Sequence, residues 1–310
     1  MYTRLDAIER KSKRTKMKSQ WQFYLMLLPP LLYILTFHYT PMFGIVMAFK
    51  KFSVSRGIWG SQWVGFTHFK QFLASPSSLR IIWNTLYLGI YTLIVGFPIP
   101  ILLAIGLNEV GNQRFKKTVQ MVTYAPYFIS TVVMVGLVMQ ITDLRTGVIN
   151  DLLRLVGKDP INFFGSATIF PSLYVWTGIW QTTGYSAIIY LAALSGVSKE
   201  LQEVAIVDGA SRLQRIWHID LPAIRPQIII LLIFNVGAVM NIGFEKVYLM
   251  QNPLNMATSE VIATFVYKIG LVNADYSFST AVGLFNSVIS FILLITVNEL
   301  AKRFSDTGVW

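Results

Sequence analysis

Cysteine is missing from all 310 residues, which excludes disulfides, thiolate nucleophiles, zinc ribbons and iron–sulfur clusters. Histidine is scarce: His38, His68 and His218 lie far apart in sequence, so no metal site is expected. Charge is also scarce, at 13% of residues against about 25% in ordinary soluble domains. There is no G-x-x-x-x-G-K-[ST] loop to cradle phosphates, so the chain is not expected to hydrolyse ATP. Within the apolar runs the acidic residues are essentially Glu245 and Glu299, with no histidine near either. An intramembrane hydrolase or transferase needs a converging nucleophile and base, or paired carboxylates. The sequence offers neither, and the chain reads as not an enzyme.

What is present is apolar: 54% hydrophobic and 14% aromatic residues, with a mean hydropathy of +0.54. Runs long enough to cross a hydrocarbon core of ~30 Å, about 20 residues each, occur six times. They predict helix 1 at 22–49, helix 2 at 81–108, helix 3 at 117–141, helix 4 at 168–194, helix 5 at 225–247 and helix 6 at 278–301. The expected fold class is an all-α membrane protein. Its expected organisation is a cytoplasmic tail over 1–20, a six-helix membrane domain over 21–303 and a short cytoplasmic tail over 304–310. The first 20 residues are charged, and the apolar run after them lacks a small-residue cleavage site, so the tail is read as retained.

The net charge of +11 is explained by loop placement better than by a nucleic-acid partner. The N-terminal stretch carries seven Lys or Arg, the loop after helix 2 three, the loop after helix 4 four and the C-terminal stretch two, leaving ten of 26 for the alternate loops. Lys and Arg concentrate on the cytoplasmic side, so both termini and the long loop after helix 4 are expected there. Prolines inside the spans (Pro29, Pro30, Pro41, Pro98 and Pro100) are tolerated where neighbouring groups satisfy the freed backbone. Trp59, Trp63, Trp176 and Trp180 crowd the predicted outer ends, as an interfacial belt or as faces for sugar stacking.

One loop is too apolar for a linker: SKELQEVAIVDGASRLQRIWHIDLPAIRP, residues 198–226. Leu201, Val204, Ala205 and Asp208 follow i, i+3, i+4, i+7 and predict a short helix with one narrow face. Gly209 is placed to end it, and Leu213, Ile216, Trp217 and Asp220 begin a second short helix closed by Pro222. By pattern alone such an element lies on a membrane surface or docks as a rigid knob in a partner's groove.

Glu203, Ala205, Asp208, Gly209 and Ala210, followed by Ile219, Leu221 and Pro222, resemble the EAA loop of ABC importer permeases, E-A-A-x-x-x-G then I-x-L-P. The loop departs from that pattern at Val204, where the family has alanine, a small apolar exchange. The stretches 235–253 and 276–287 are similar to the carbohydrate branch that handles polysaccharides and complex oligosaccharides, so the resemblance spans nearly the whole chain.

The resemblance implies a type I importer permease in the bacterial cell membrane, whose EAA loop forms coupling helices seated in a cleft of a separate ATPase. Glu203 would pair with a basic group of that ATPase, Gly209 would make the turn, and Ala205 and Ala210 would allow close approach. Ile219, Leu221 and Pro222 would pack the second arm. It also implies a second, different permease, a dimer of ATPase subunits holding ATP and magnesium, and a lipid-anchored or periplasmic solute-binding protein. No cofactor is expected on this chain. Polar and aromatic groups at membrane depth are the candidates for an oligosaccharide path: Trp176, Trp180, Gln181, Tyr185, Asn235, Asn241, Glu245, Tyr248 and Asn286. Interhelical hydrogen bonding is the other reading of each. An ion-coupled secondary transporter is the rival function, which calls for inverted repeats and mid-membrane ionisable groups.

Overall fold

The computed structural model describes residues 20–305. The expected tails, 1–20 and 304–310, fall almost wholly outside them, and so do the seven basic residues of the first. The chain divides into two compact units, Met1–Thr67 and His68–Trp310.

The first unit contains α1 (Trp21–Phe49) and a two-stranded antiparallel ribbon, β1 (Lys50–Lys51) with β2 (Gln62–Trp63), in the register Lys50 to Trp63. Phe49 stacks on Trp63 at 5.7 Å. Lys50 donates to the carbonyls of Ile58 and Trp59 at 3.0 and 2.9 Å, so this cation is committed to closing the ribbon loop.

In the second unit, α2 (Ser78–Glu109) is a 32-residue apolar helix, followed by α3 (Gln113–Phe128) and α4 (Thr131–Ile141), then the short α5 (Val148–Leu155) and the 26-residue α6 (Phe170–Ser195). Beyond them come α7 (Lys199–Val207), α8 (Arg212–Gly237), α9 (Phe244–Met250), α10 (Ile262–Val272) and α11 (Tyr276–Ser305). Among the described residues four helices are long and apolar enough to cross a membrane (α1, α2, α8 and α11), or five if α3 and α4 are one broken span. The predicted helix 4 forms as α6, long enough but diluted by Thr177, Gln181, Thr182, Thr183 and Ser186.

Predicted helix 3 is not one straight rod: α3 and α4 meet at 104°. Pro126 lacks the N–H that would continue α3, and Ser130, extended at ψ 152°, starts α4 by accepting from the Val133 amide. Predicted helix 5 is also shorter at its end. It stops at Gly237, leaving Asn241 and Glu245 outside it, the latter in α9. The second short helix of the 198–226 loop is not closed by Pro222 but runs through it into α8.

Pro29, Pro30 and Pro226 sit within regular α-helix, whereas, among the described residues, three other prolines are each preceded by a π turn. Leu35–Tyr39, Thr92–Gly96 and Ile216–Asp220 each end two residues before a proline: Pro41, Pro98 and Pro222. A proline ring clashes with the carbonyl four residues back, which here is Phe37, Ile94 or His218, each inside the widened turn. The helix therefore continues where a regular α-helix would break.

Small residues set the closest packing. A Cβ on Gly184 of α6 would run into the backbone carbonyl of Thr123 in α3, and one on Gly89 of α2 into that of Val239. Ile101, Ala104 and Ile105 of α2 form a buried cluster with Ala187, Tyr190 and Leu194 of α6 and Ile224 of α8. Loop contacts sort the two ends of this unit. At one end Arg215 of the 198–226 loop reaches Glu109, the last residue of α2, at 3.8 Å. At the other, Asn255 donates to Phe164 O at 2.9 Å and Arg80 pairs with Glu260 at 3.5 Å. Predicted cytoplasmic loops thus share one end and predicted outer loops the other.

Candidate functional site

Two features stand out, a rigid knob at one end of the bundle and a polar cavity among its helices. The knob is the 198–226 loop. Helix α7 ends in a Schellman turn: Ala210 N–H donates to Ala205 O at 2.8 Å and Gly209 N–H to Ile206 O at 3.0 Å. Gly209 sits at φ +81°, the left-handed region that a side chain disfavours. Ser211 opens α8 with a capping box, its hydroxyl accepting from the Gln214 amide while Gln214 Oε1 accepts from the Ser211 amide at 2.7 Å. Both arms of the turn are therefore fixed by backbone hydrogen bonds.

Beneath the turn, Gln202 Nε2 donates to Asp220 Oδ1 at 2.7 Å, and Arg215 donates to Gln202 Oε1 at 3.0 Å while its guanidinium faces Glu109. Ile216 and Leu221 pack on the cluster shared by α2 and α6. The tip carries uncovered apolar surface: Val207 is 86% exposed, Leu213 77% and Trp217 69%. Glu203, Asp208 and Pro222 are also exposed, Ala205, Ala210, Ile219 and Leu221 half-buried. The structure thus brings the eight expected coupling residues into one element.

The cavity, about 460 Å³, is walled by α2 (Gly96, Phe97, Pro100), α6 (Gln181, Thr182, Tyr185), α8 (Leu231, Asn235) and α9. Gln181 donates to Ile129 O at 2.9 Å, bracing the α3–α4 break, and Tyr185 stacks on Tyr127 at 3.8 Å and 4°. Asn235 is turned back to Leu231 O at 2.8 Å. Trp176 and Trp180 do not join them. They line a separate apolar depression with Leu102, Val122 and Pro126, because 100° per residue carries them round α6 from Gln181 and Tyr185.

The remaining expected path residues lie elsewhere. Asn286 of α11 donates to Met240 O at 3.3 Å and to Asn241 Oδ1 at 3.4 Å, in the turn that follows α8, a structural bond and not part of the cavity wall. Tyr248 belongs to an aromatic trio with Phe244 and Tyr267, and Glu245 is exposed on α9. Sequence reasoning missed Lys246, a residue of the cavity lining whose Nζ donates to Tyr174 O at 2.6 Å and lies 4.5 Å from the Tyr174 ring. A cation within predicted helix 5 was the available signal.

The profile of the family described as "Binding-protein-dependent transport system inner membrane component" matches residues 96–306. Protein LplB of Bacillus subtilis (strain 168) is 44% identical over 293 residues, covering 94% of this chain and 92% of its own. The polygalacturonan/rhamnogalacturonan transport system permease protein YteP of the same organism is 43% identical over 302 residues, covering 97% and 94%. A chain of a bacterial alginate ABC transporter, crystallised with alginate pentasaccharide-bound periplasmic protein, superposes with a TM-score of 0.88 at 39% identity, covering 95% and 99%. The fold is that of ABC importer permeases, and the chain is a multi-pass membrane protein of the binding-protein-dependent transport system inner membrane component family.

Proposed function

We propose that this chain is one of two different permease subunits of an ATP-driven importer of oligosaccharides, moved by a separate pair of ATPase subunits that hold ATP and magnesium. The observation that carries the reading is the knob: a short, doubly capped lever with apolar groups at its tip and its root hydrogen-bonded into the bundle. A lever that bent at Gly209 would dissipate a partner's movement instead of passing it to α8. The names of the relatives support the substrate class, since they include a polygalacturonan/rhamnogalacturonan permease and an alginate transporter.

In this reading the knob faces the cytoplasm, with both termini on the same side, as the Lys and Arg placement favours. The opposite loops receive sugar from a solute-binding protein. Glu203 pairs with a basic group of the ATPase, and Gln181, Tyr185 and Asn235 contribute to the sugar path through the cavity. Uptake of labelled oligosaccharide into membrane vesicles carrying the whole importer tests this. ATP-dependent uptake that an ionophore leaves intact is expected. Uptake driven by an ion gradient without ATP would instead make the chain a secondary transporter.

A further inference from the structure

We infer that Lys246 makes the cavity selective for oligosaccharides bearing carboxylates, that is, uronate sugars. The inference rests on the transport reading above and names the substrate class for the same cavity.

Gln181, Thr182, Tyr185 and Asn235 supply the neutral donors and acceptors that sugar hydroxyls need. Lys246 adds something different. Lys246 is half-buried, and an ammonium held partly out of water is costly unless paired, yet both of its observed partners, the Tyr174 carbonyl and ring, are neutral. Among the described residues no carboxylate lies within ion-pair distance of its Nζ. Three other basic residues near the bundle ends do find carboxylates: Lys268 and Arg80 share Glu260, and Arg215 faces Glu109.

The backbone also makes room for this cation. A Cβ on Gly178 of α6 would stand 3.0 Å from Nζ, so the glycine lets the ammonium lie against the helix at the cavity wall. An ammonium has three donors, and the Tyr174 carbonyl takes one. The other two are left for an acceptor in the cavity. The missing counter-charge is then supplied by the ligand: a carboxylate adds an opposite formal charge to the ammonium's hydrogen bond, which a hydroxyl does not. A neutral sugar of the same shape leaves the charge uncompensated.

The test compares wild type, Lys246→Gln and Lys246→Arg in vesicles containing the whole importer with its binding protein. The probes are uronate trisaccharides of galacturonate, guluronate and glucuronate, each paired with its carboxyl-reduced counterpart. Because the binding protein is common to all arms, a change in the acidic-to-reduced uptake ratio between wild type and variant belongs to the permease. The expected result is ATP-driven uptake favouring at least one uronate, a fall of about tenfold or more in that ratio for Lys246→Gln, and a ratio near wild type for Lys246→Arg. Uptake by wild type that favours the reduced sugars, or a loss in Lys246→Gln that is equal for acidic and reduced probes, overturns the assignment. A wild-type importer that takes up no oligosaccharide of either kind fails at the transport reading itself.

Discussion

Gln202 and Asp220, 18 residues apart, are joined at 2.7 Å across the base of the knob. Asp220 is only 1% exposed, and Gln202 is also the acceptor for Arg215. One amide therefore ties the first half of α7 to Asp220 of α8 and, through Arg215, to Glu109 of α2. Gln202→Ala leaves a buried carboxylate without its donor, which costs about 1–3 kcal/mol. The expected outcome is a lower melting temperature of the purified importer and fewer sugars moved per ATP hydrolysed. Unchanged coupling would show that the lever takes its stiffness from the Schellman turn alone.

Helix α6 approaches α3 so closely at Gly184 that even a methyl group meets the Thr123 carbonyl. Gly184→Ala is expected to cost about 1–3 kcal/mol through backbone displacement. Gly106, in α2 with nothing within 4 Å of a built Cβ, is the matched control. Gly106→Ala should be neutral or stabilising by up to about 1 kcal/mol, because alanine is the better helix former. Thermal unfolding followed by tryptophan fluorescence in detergent measures both, and equal effects would contradict the close-approach account.

The loop after α4 is ordered by Asp143. Its carboxylate accepts from the Thr146 amide at 2.8 Å, the Arg145 amide at 2.9 Å and the Thr146 hydroxyl at 2.9 Å. The backbone donors, Thr146 first, hold its pKa below the ordinary aspartate value of 3.8. A depressed carboxylate stabilises above its unfolded pKa and loses that contribution as pH falls through the folded value. Hydrogen exchange of the Arg145 and Thr146 amides, corrected for intrinsic rate, should stay slow as pH falls to the ordinary aspartate value of 3.8 and become fast only at lower pH. Asp143→Ala should make both fast at every pH.

Much of this architecture was legible in the sequence, because a bilayer demands long apolar helices and a glycine at a helix end has a short list of causes. The helix ending at Gly209 formed as expected, and the EAA-like residues came together in one element. The errors cluster at proline. Pro222 reads as a stop, but the π turn before it lets the helix pass. Pro126 was not weighed in predicted helix 3, and it helps turn that predicted rod through 104°. Helix α10, at 11 residues, was too short to register as a span. Lys246 was overlooked although it fell inside predicted helix 5 beside Glu245, because nothing in the sequence shows that it meets Tyr174 of α6.

The most direct test of the central claim is co-purification of the tagged chain from its native membrane, wild type against Gly209→Pro. Proline cannot adopt φ +81°, so the substitution breaks the knob and leaves the polar cavity untouched. The account predicts that wild type brings down an ATPase and a second permease, and that the variant loses the ATPase. A chain that purifies alone, or one that keeps its ATPase despite the proline, would contradict it.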